Sequence, residues 1–239
     1  MKILLLGYGR MGRSIERVAR ERGHDIGHVH ARTTAPDDAA WRGCDVAIEF
    51  SVPAAAERLC RRALSLGVPV VSGSTGWPVE PLRQSASARP GAPGFLHATN
   101  MSIGVNAVFA ANELVARLLA RMPATQAHIA ETHHVHKLDR PSGTAITLAQ
   151  GALAHLPQYT DWALTDGEPN IATALPIESI REGEVYGDHE VRYTTASDEV
   201  TLRHRARNRD GFALGAVLAA EWLPGRSGHF TMADVLRGD

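Results

Sequence analysis

The chain opens with an apolar run that ends on glycine: Lys2-Ile3-Leu4-Leu5-Leu6, then Gly7-Tyr8-Gly9-Arg10-Met11-Gly12. The run fits a short buried strand. Residues 11–22 follow at helical spacing, with Met11, Ile15, Val18 and Ala19 on one face, until Gly23 ends them. A strand that turns through glycine straight into a helix leaves few folds open. Gly7 permits the tight turn, Gly9 lets backbone approach a pyrophosphate, and Gly12 lets helix pack on strand. The N–H groups of the helix start then face the phosphates. Residues 26–31, 45–50 and 68–72 read as further strands, with a helix over 54–66 after Pro53. Strands alternating with helices imply an α/β fold with a parallel sheet covered on both faces.

In such sheets ligands bind at the C-terminal ends of the strands. Gly73, Ser74 and Thr75 follow the fourth strand, and Ala98, Thr99, Asn100 and Met101 follow another short apolar stretch. With Gly7, Tyr8, Gly9, Arg10, Met11 and Gly12 they are the candidate cofactor contacts. The position that reads the cofactor ribose, after the second strand, offers Arg32, Thr33 and Thr34 and no acid before Asp37. A carboxylate there would bind a free 2′-OH, whereas a guanidinium forks onto a 2′-phosphate. The expectation is NADPH, with NADH use left open. Residues 84–94 are polar, small and proline-containing, and read as an exposed loop.

From Gly104 the pattern changes. A helix is expected over 106–119, a strand over 127–130, a helix over 144–156 and a closing helix over 212–222. Residues 174–181, 189–195 and 199–206 alternate like strands of an open antiparallel sheet. A second, α+β domain therefore begins near residue 105.

Between them lies Glu131-Thr132-His133-His134-Val135-His136-Lys137, followed by Asp139-Arg140-Pro141-Ser142-Gly143-Thr144. The twelve histidines of the chain crowd together nowhere else. Zinc wants three or four ligands in a tetrahedron. Adjacent His133 and His134 point apart in extended chain and His134 with His136 makes only two, with Glu131 near, so no metal is expected. Proton and anion chemistry fits better. Histidine exchanges protons near neutral pH, Lys137 adds a fixed cation, and Ser142 can cap a helix whose first residues, Gly143 and Thr144, turn their N–H groups to an anion. In an extended strand His133 and Lys137 share a face with His134 opposite, so the chain must curl if His134 also touches ligand.

Composition excludes some classes. The chain has 239 residues and a formal charge of −1, too little to draw it to nucleic acid or an acidic membrane. No apolar run is long enough to span a bilayer, and the start, with its glycine turn, does not read as a signal peptide. Cys44 and Cys60 have no metal-type spacing, and two thiols point to a reducing compartment, with the cytoplasm as the expectation.

The run ETHHVHKLDRPSGTA, with GYGRMGR, GSTGW, ATNMSIGVN, SIREGEVYGDHEV and GAVLAAEWLPGRSGHFTMADVL, resembles the dihydrodipicolinate reductase family over the whole chain. That family supplies the second enzyme of the diaminopimelate branch of lysine synthesis. The resemblance implies a Rossmann domain over 1–104, completed by 212–239, and an α+β domain with an open mixed sheet over 105–211 that binds substrate and builds a homotetramer. It implies His133 as proton donor and acceptor, Lys137 as second donor and carboxylate clamp, His134 as a substrate contact, and Gly143 and Thr144 as a backbone cradle. The implied substrate is a small cyclic imine dicarboxylate, 4-hydroxy-tetrahydrodipicolinate. There are departures: GYGRMG is shorter than the glycine turn of many members, the ribose position lacks their usual acid, and Arg140 stands where most have a small residue. Arg140 is expected to face solvent. Two rival readings are another two-domain reductase, of the homoserine or aspartate dehydrogenase kind, and a catalytically silent NADP-binding sensor. HHVHK and PSGT oppose the first, and retention of His133 and Lys137 opposes the second.

Overall fold

The computed structural model describes every residue except 32, 33, 35, 89, 90, 166–172 and 239. The chain divides into two compact units, Met1–Ile103 with Arg209–Asp239, and Gly104–Asn208. The first carries β1 (Lys2–Leu6), α1 (Arg10–Glu21), β2 (Asp25–His30), α2 (Asp38–Arg42), β3 (Val46–Glu49), α3 (Pro53–Ser65), β4 (Val70–Ser72), α4 (Glu80–Ser87) and β5 (Phe95–His97). The second holds α5 (Ile103–Leu119), which starts at the boundary, then β6 (Gln126–His133), α6 (Gly143–Leu153), β7 (Asp161–Leu164), β8 (Ala174–Arg181), β9 (Asp188–Thr194) and β10 (Glu199–Arg205). The chain then returns to the first unit with α7 (Asp210–Trp222), β11 (His229–Phe230) and α8 (Met232–Arg237). Among the described residues no helix is long and apolar enough to cross a membrane.

The first unit is a six-stranded parallel sheet in the order β2-β1-β3-β4-β5-β11. Its central strands are buried on both faces, which is why they read as continuous apolar runs rather than alternating ones. Ile3, Leu5, Val46 and Ile48 pack on one side with Ile15 and Val18 of α1 and with Ala216, Val217 and Ala220 of α7. Leu4, Leu6 and Ala47 pack on the other with Trp41, Leu59 and Cys60. Each such fully buried large aliphatic side chain contributes about 1.5–3 kcal/mol. Helix α7 approaches so closely that a Cβ at Gly215 would stand 1.7 Å from the Met101 carbonyl oxygen. The stretch 84–94, expected to be loop, starts as helix instead. Pro81 suits the first turn of α4, and Leu82 and Ala86, four residues apart, bury one face of it.

The second unit is a mixed five-stranded sheet, β10-β9-β6-β8-β7. The antiparallel expectation holds for β9 with β10, but β8 is not their neighbour: β6 lies between, parallel to β8 and antiparallel to β9. Parallel neighbours need a crossover, and α6 lies in the connection between β6 and the pair β7–β8. Ala127, Ile129, Leu175, Ile177, Val191 and Tyr193 face Ala116 of α5 and Ala145, Leu148 and Ala152 of α6. Alternation then turns Glu178, Ile180 and Arg192 outward, exposed. Strand β6 runs three residues past its expected end at 130, so that His133 is its last residue.

Candidate active site

In the first unit the glycine turn does what its spacing predicts. Gly7 has φ +101°, and a Cβ there would lie 2.3 Å from the Phe50 carbonyl oxygen, while one on Gly12 would lie 2.4 Å from the Gly7 carbonyl oxygen. Only glycine lets β1 turn this tightly and α1 sit on the turn. Gly9, the N-cap of α1, has no atom within 4 Å of its Cβ position, so its backbone is open to a ligand. A cleft of about 440 Å³ is lined by Gly9, Arg10, Met11, Phe50, Ser51, Pro53, Gly73, Ser74, Thr75 and Arg209. Its charged side chains are Arg10 and Arg209, with no acid among them, and the first turn of α1 has no acid either. A helix N-terminus, bare backbone and two guanidiniums suit a pyrophosphate. Arg209 has no place in any sequence motif; the return of the chain at α7 supplies it.

Ser74 is held from below. Its hydroxyl donates to buried Glu49 at 2.8 Å, and its carbonyl accepts from Trp77 Nε1 at 2.9 Å and lies 3.1 Å from His97 Nε2. Tyr8 is exposed and its hydroxyl reaches Glu16. Ala98, Thr99, Asn100 and Met101 follow the end of β5 but do not line the cleft. Met101 is buried in the core, and Asn100 Oδ1 accepts from Ser102 N. Arg32 and Thr33 lie outside the described residues. The nearest acid after β2, Asp37, caps α2 by accepting from Ala40 N at 2.8 Å.

In the second unit the histidine run is read through the sheet. Alternation along β6 puts Ala127, Ile129, Glu131 and His133 on the covered face, all buried. Register then sets Glu131 beside Ser179 of β8 and His189 of β9, and His133 beside Arg181. His133 Nδ1 lies 2.6 Å from Glu131 Oε2, and the rings of His133 and His189 meet edge to face at 4.9 Å. Glu131 Oε1 accepts from Ser179 Oγ at 2.5 Å, Ser142 N at 3.1 Å and Arg181 Nη2 at 3.1 Å. Burial opposes the charge on Glu131, but the adjoining His133 imidazole and the hydrogen bonds from Ser179 and Ser142 outweigh it and hold the carboxyl well below the ordinary carboxylate range. Burial, reinforced by the His133 charge, pushes His189 down to about 3, so it is neutral. Glu131, His133 and His189 could together hold a cation, but Arg181 on the same carboxylate opposes one.

Beyond His133 the chain curls. His134 N donates to Val185 O and Lys137 N to His134 O, closing a turn. His136 is exposed, 3.4 Å from Glu184. Lys137 Nζ pairs with Asp139 at 2.8 Å. Ser142 caps α6, its hydroxyl accepting from Ala145 N, so Gly143 and Thr144 are the first helical residues. Because Ser142 N bonds Glu131, the start of α6 is tied to the same carboxylate as His133. Arg140 is exposed, yet it forks onto Ser179 O at 2.7 and 3.2 Å rather than only facing solvent. The structure thus gathers His133 and the α6 start around Glu131, with Lys137 in the adjoining turn. Sequence reading noted Glu131 only as nearby. Its two-residue offset from His133 on a strand is the available signal; Ser179, Arg181 and His189 fall within the motif SIREGEVYGDHEV, but only the register brings them to Glu131.

Two family models match the chain, "Dihydrodipicolinate reductase, N-terminus" over residues 1–101 and "Dihydrodipicolinate reductase, C-terminus" over residues 104–236. The chain belongs to the dihydrodipicolinate reductase family. A 4-hydroxy-tetrahydrodipicolinate reductase of Christiangramia forsetii is 40% identical over 99% of this chain and 98% of its own length. One from Akkermansia muciniphila is 37% identical over 99% and 98%. Among solved structures, dipicolinate-bound dihydrodipicolinate reductase from Paenisporosarcina sp. TG-14 superposes with a TM-score of 0.75 at 21% identity, over 97% of each chain, and shows the shared fold. As a dihydrodipicolinate reductase family member the chain is an oxidoreductase of the lysine and diaminopimelate pathway that uses a nicotinamide dinucleotide.

Proposed function

We propose that the chain reduces 4-hydroxy-tetrahydrodipicolinate to tetrahydrodipicolinate with NADPH, and that the second unit holds the substrate. The observation that carries this reading is a buried imidazole, His133, joined through Glu131 to the N-terminus of α6. A proton donor beside an anion cradle is what a cyclic imine dicarboxylate requires. The relatives are named for that substrate, and one solved relative carries dipicolinate.

His133 gives the proton that completes the reduction after loss of water. Gly143 and Thr144 present backbone N–H groups to one carboxylate, and His134 lines the same anion site from the curl. Lys137 clamps a carboxylate by exchanging its present partner, Asp139, for the substrate. When bound, the nicotinamide supplies hydride to ring C4. Gly7 to Gly12 and Gly73 to Thr75 receive the dinucleotide, with Ala98 to Met101 shaping the neighbouring strand end. Preference for NADPH rests on Arg32 and on the engagement of Asp37 as a helix cap, which leaves no described acid at the end of β2 for a ribose diol. Free, buried Cys44 and Cys60 suit the cytoplasm. The outward face of the second sheet, bearing Glu178, Ile180 and Arg192, is the surface on which a homotetramer would form.

The test is a coupled assay in which dihydrodipicolinate synthase supplies the unstable substrate and loss of NADPH or NADH absorbance is followed separately. Turnover with NADPH at least equal to that with NADH is expected. No oxidation of either cofactor would refute the activity.

A further inference from the structure

The role of His133 raises the question of which of its nitrogens moves the proton. We propose that Glu131 is the positioning residue of this site: it fixes His133 through Nδ1, so that Nε2 is the nitrogen that exchanges the proton with substrate. The inference rests on the reading of His133 above and deepens it.

Three observations point the same way. Glu131 is fully buried, and its two oxygens are divided: Oε1 takes the donors Ser142 N, Ser179 Oγ and Arg181 Nη2, and Oε2 is left for His133 Nδ1 at 2.6 Å. A carboxylate saturated on one oxygen cannot rotate away without losing three donors. Neutral His189 stands 3.9 Å from Oε2 and takes none of its charge. On the other side of the ring, Gly187 has φ +145°, and a Cβ there would sit 3.1 Å from His133 Nε2. Glycine at that place sets no side chain against Nε2.

The charged and titratable groups facing His133 are Glu131 on its own strand, Arg181 on β8 and His189 on β9, with the Lys137–Asp139 pair in the turn that follows. Among the described residues Glu131 is the carboxylate that meets Nδ1 directly. It therefore selects the tautomer that leaves Nε2 to exchange the proton.

The experiment uses the full chain and three readouts. Glu131→Gln keeps the size and an acceptor for Ser142, Ser179 and Arg181 but removes the charge. It should lower kcat about 10–100-fold, as for carboxylates that orient functional histidines elsewhere, with KM and NADPH affinity changed less than threefold. The double variant with His133→Gln should be no slower than His133→Gln alone, because the carboxylate acts through the ring. Independently of how Glu131→Gln folds, ¹⁵N spectra of the wild-type imidazoles, with the His133 signals assigned by their loss in His133→Gln, should show its neutral form protonated at Nδ1. An Nε2–H tautomer overturns the proposal, as does a folded Glu131→Gln with wild-type kcat, or additive losses in the double variant. Full activity in His133→Gln overturns the reading of His133 itself, and this inference with it.

Discussion

The two candidate sites are made of different material. At the strand ends of the first unit the recognising surface is largely backbone: a Cβ on Gly7 or Gly12 would meet carbonyl oxygens at 2.3 and 2.4 Å, and one on Gly9 would meet nothing within 4 Å. At the end of β6 in the second unit it is side chains, with Glu131 holding Ser142, Ser179, Arg181 and His133 in one buried set. A site of backbone offers the same groups whatever the surrounding side chains, and fails when atoms are added. A site of buried charge fails when one partner is taken away, because the rest are left without compensation.

The sharpest break in the second site is His133→Ala. Loss of a general acid lowers kcat by about 10²–10⁴, while NADPH binding, measured by fluorescence titration, should be unchanged. Loss of both together would mean that the two units are not chemically separate.

The first site should break by addition. Gly7→Ala forces a side chain into φ +101° against Phe50 O and should cost about 1–3 kcal/mol in backbone strain alone, seen as a lowered unfolding midpoint together with lost cofactor binding. Gly9→Ala meets nothing within 4 Å, so it should leave the midpoint in place and weaken only the cofactor. Equal midpoints in the two variants would dissolve the distinction.

Removal at Lys137 is milder than at His133. A charge-assisted contact of about 1.5–3 kcal/mol means that Lys137→Ala should lower kcat/KM about 10–100-fold, with KM raised. An unchanged KM with lowered kcat would make Lys137 a proton-transfer group only.

Acid should expose the buried set gradually. His189 titrates at about 3 in the fold against 6.5 unfolded, so between those values the unfolded chain binds the extra proton and stability falls as pH falls. The loss is about 1.4 kcal/mol for each pH unit below 6.5. Glu131, held below its ordinary range, pulls in the same direction at lower pH still. In the first unit His229, lowered to about 4 by burial, does likewise over a narrower window. Urea midpoints should drop from pH 7 to 5, and His189→Gln should flatten part of that slope. A flat wild-type profile would contradict a neutral His189.

The smallest effect is expected at Arg32. Arg32→Ala should weaken NADPH several-fold, below the usual range for a charge-assisted contact, and leave NADH nearly unchanged. Equal weakening of both would assign it to the adenine or to the loop.

What the sequence determined by itself is what depends on neighbours along the chain. The β1–turn–α1 unit was legible because strand, glycine and helix are periodic and local, and the motifs around His133 marked the family because they are contiguous. The helical cap at Ser142 was legible for the same reason. Short-range rules failed where a partner comes from another strand. Residues 84–87 looked like loop because the packing of Leu82 and Ala86 cannot be seen in their own composition, and β8 looked antiparallel because alternation carries no direction. Tertiary structure alone decided that Ser179, Glu131 and His189 form one row, and that Arg209 returns more than a hundred residues later to the cleft beside Gly9. Sheet register and chain return join residues distant in sequence, and a buried charge such as Glu131 takes its character from those distant donors rather than from the residues on either side of it.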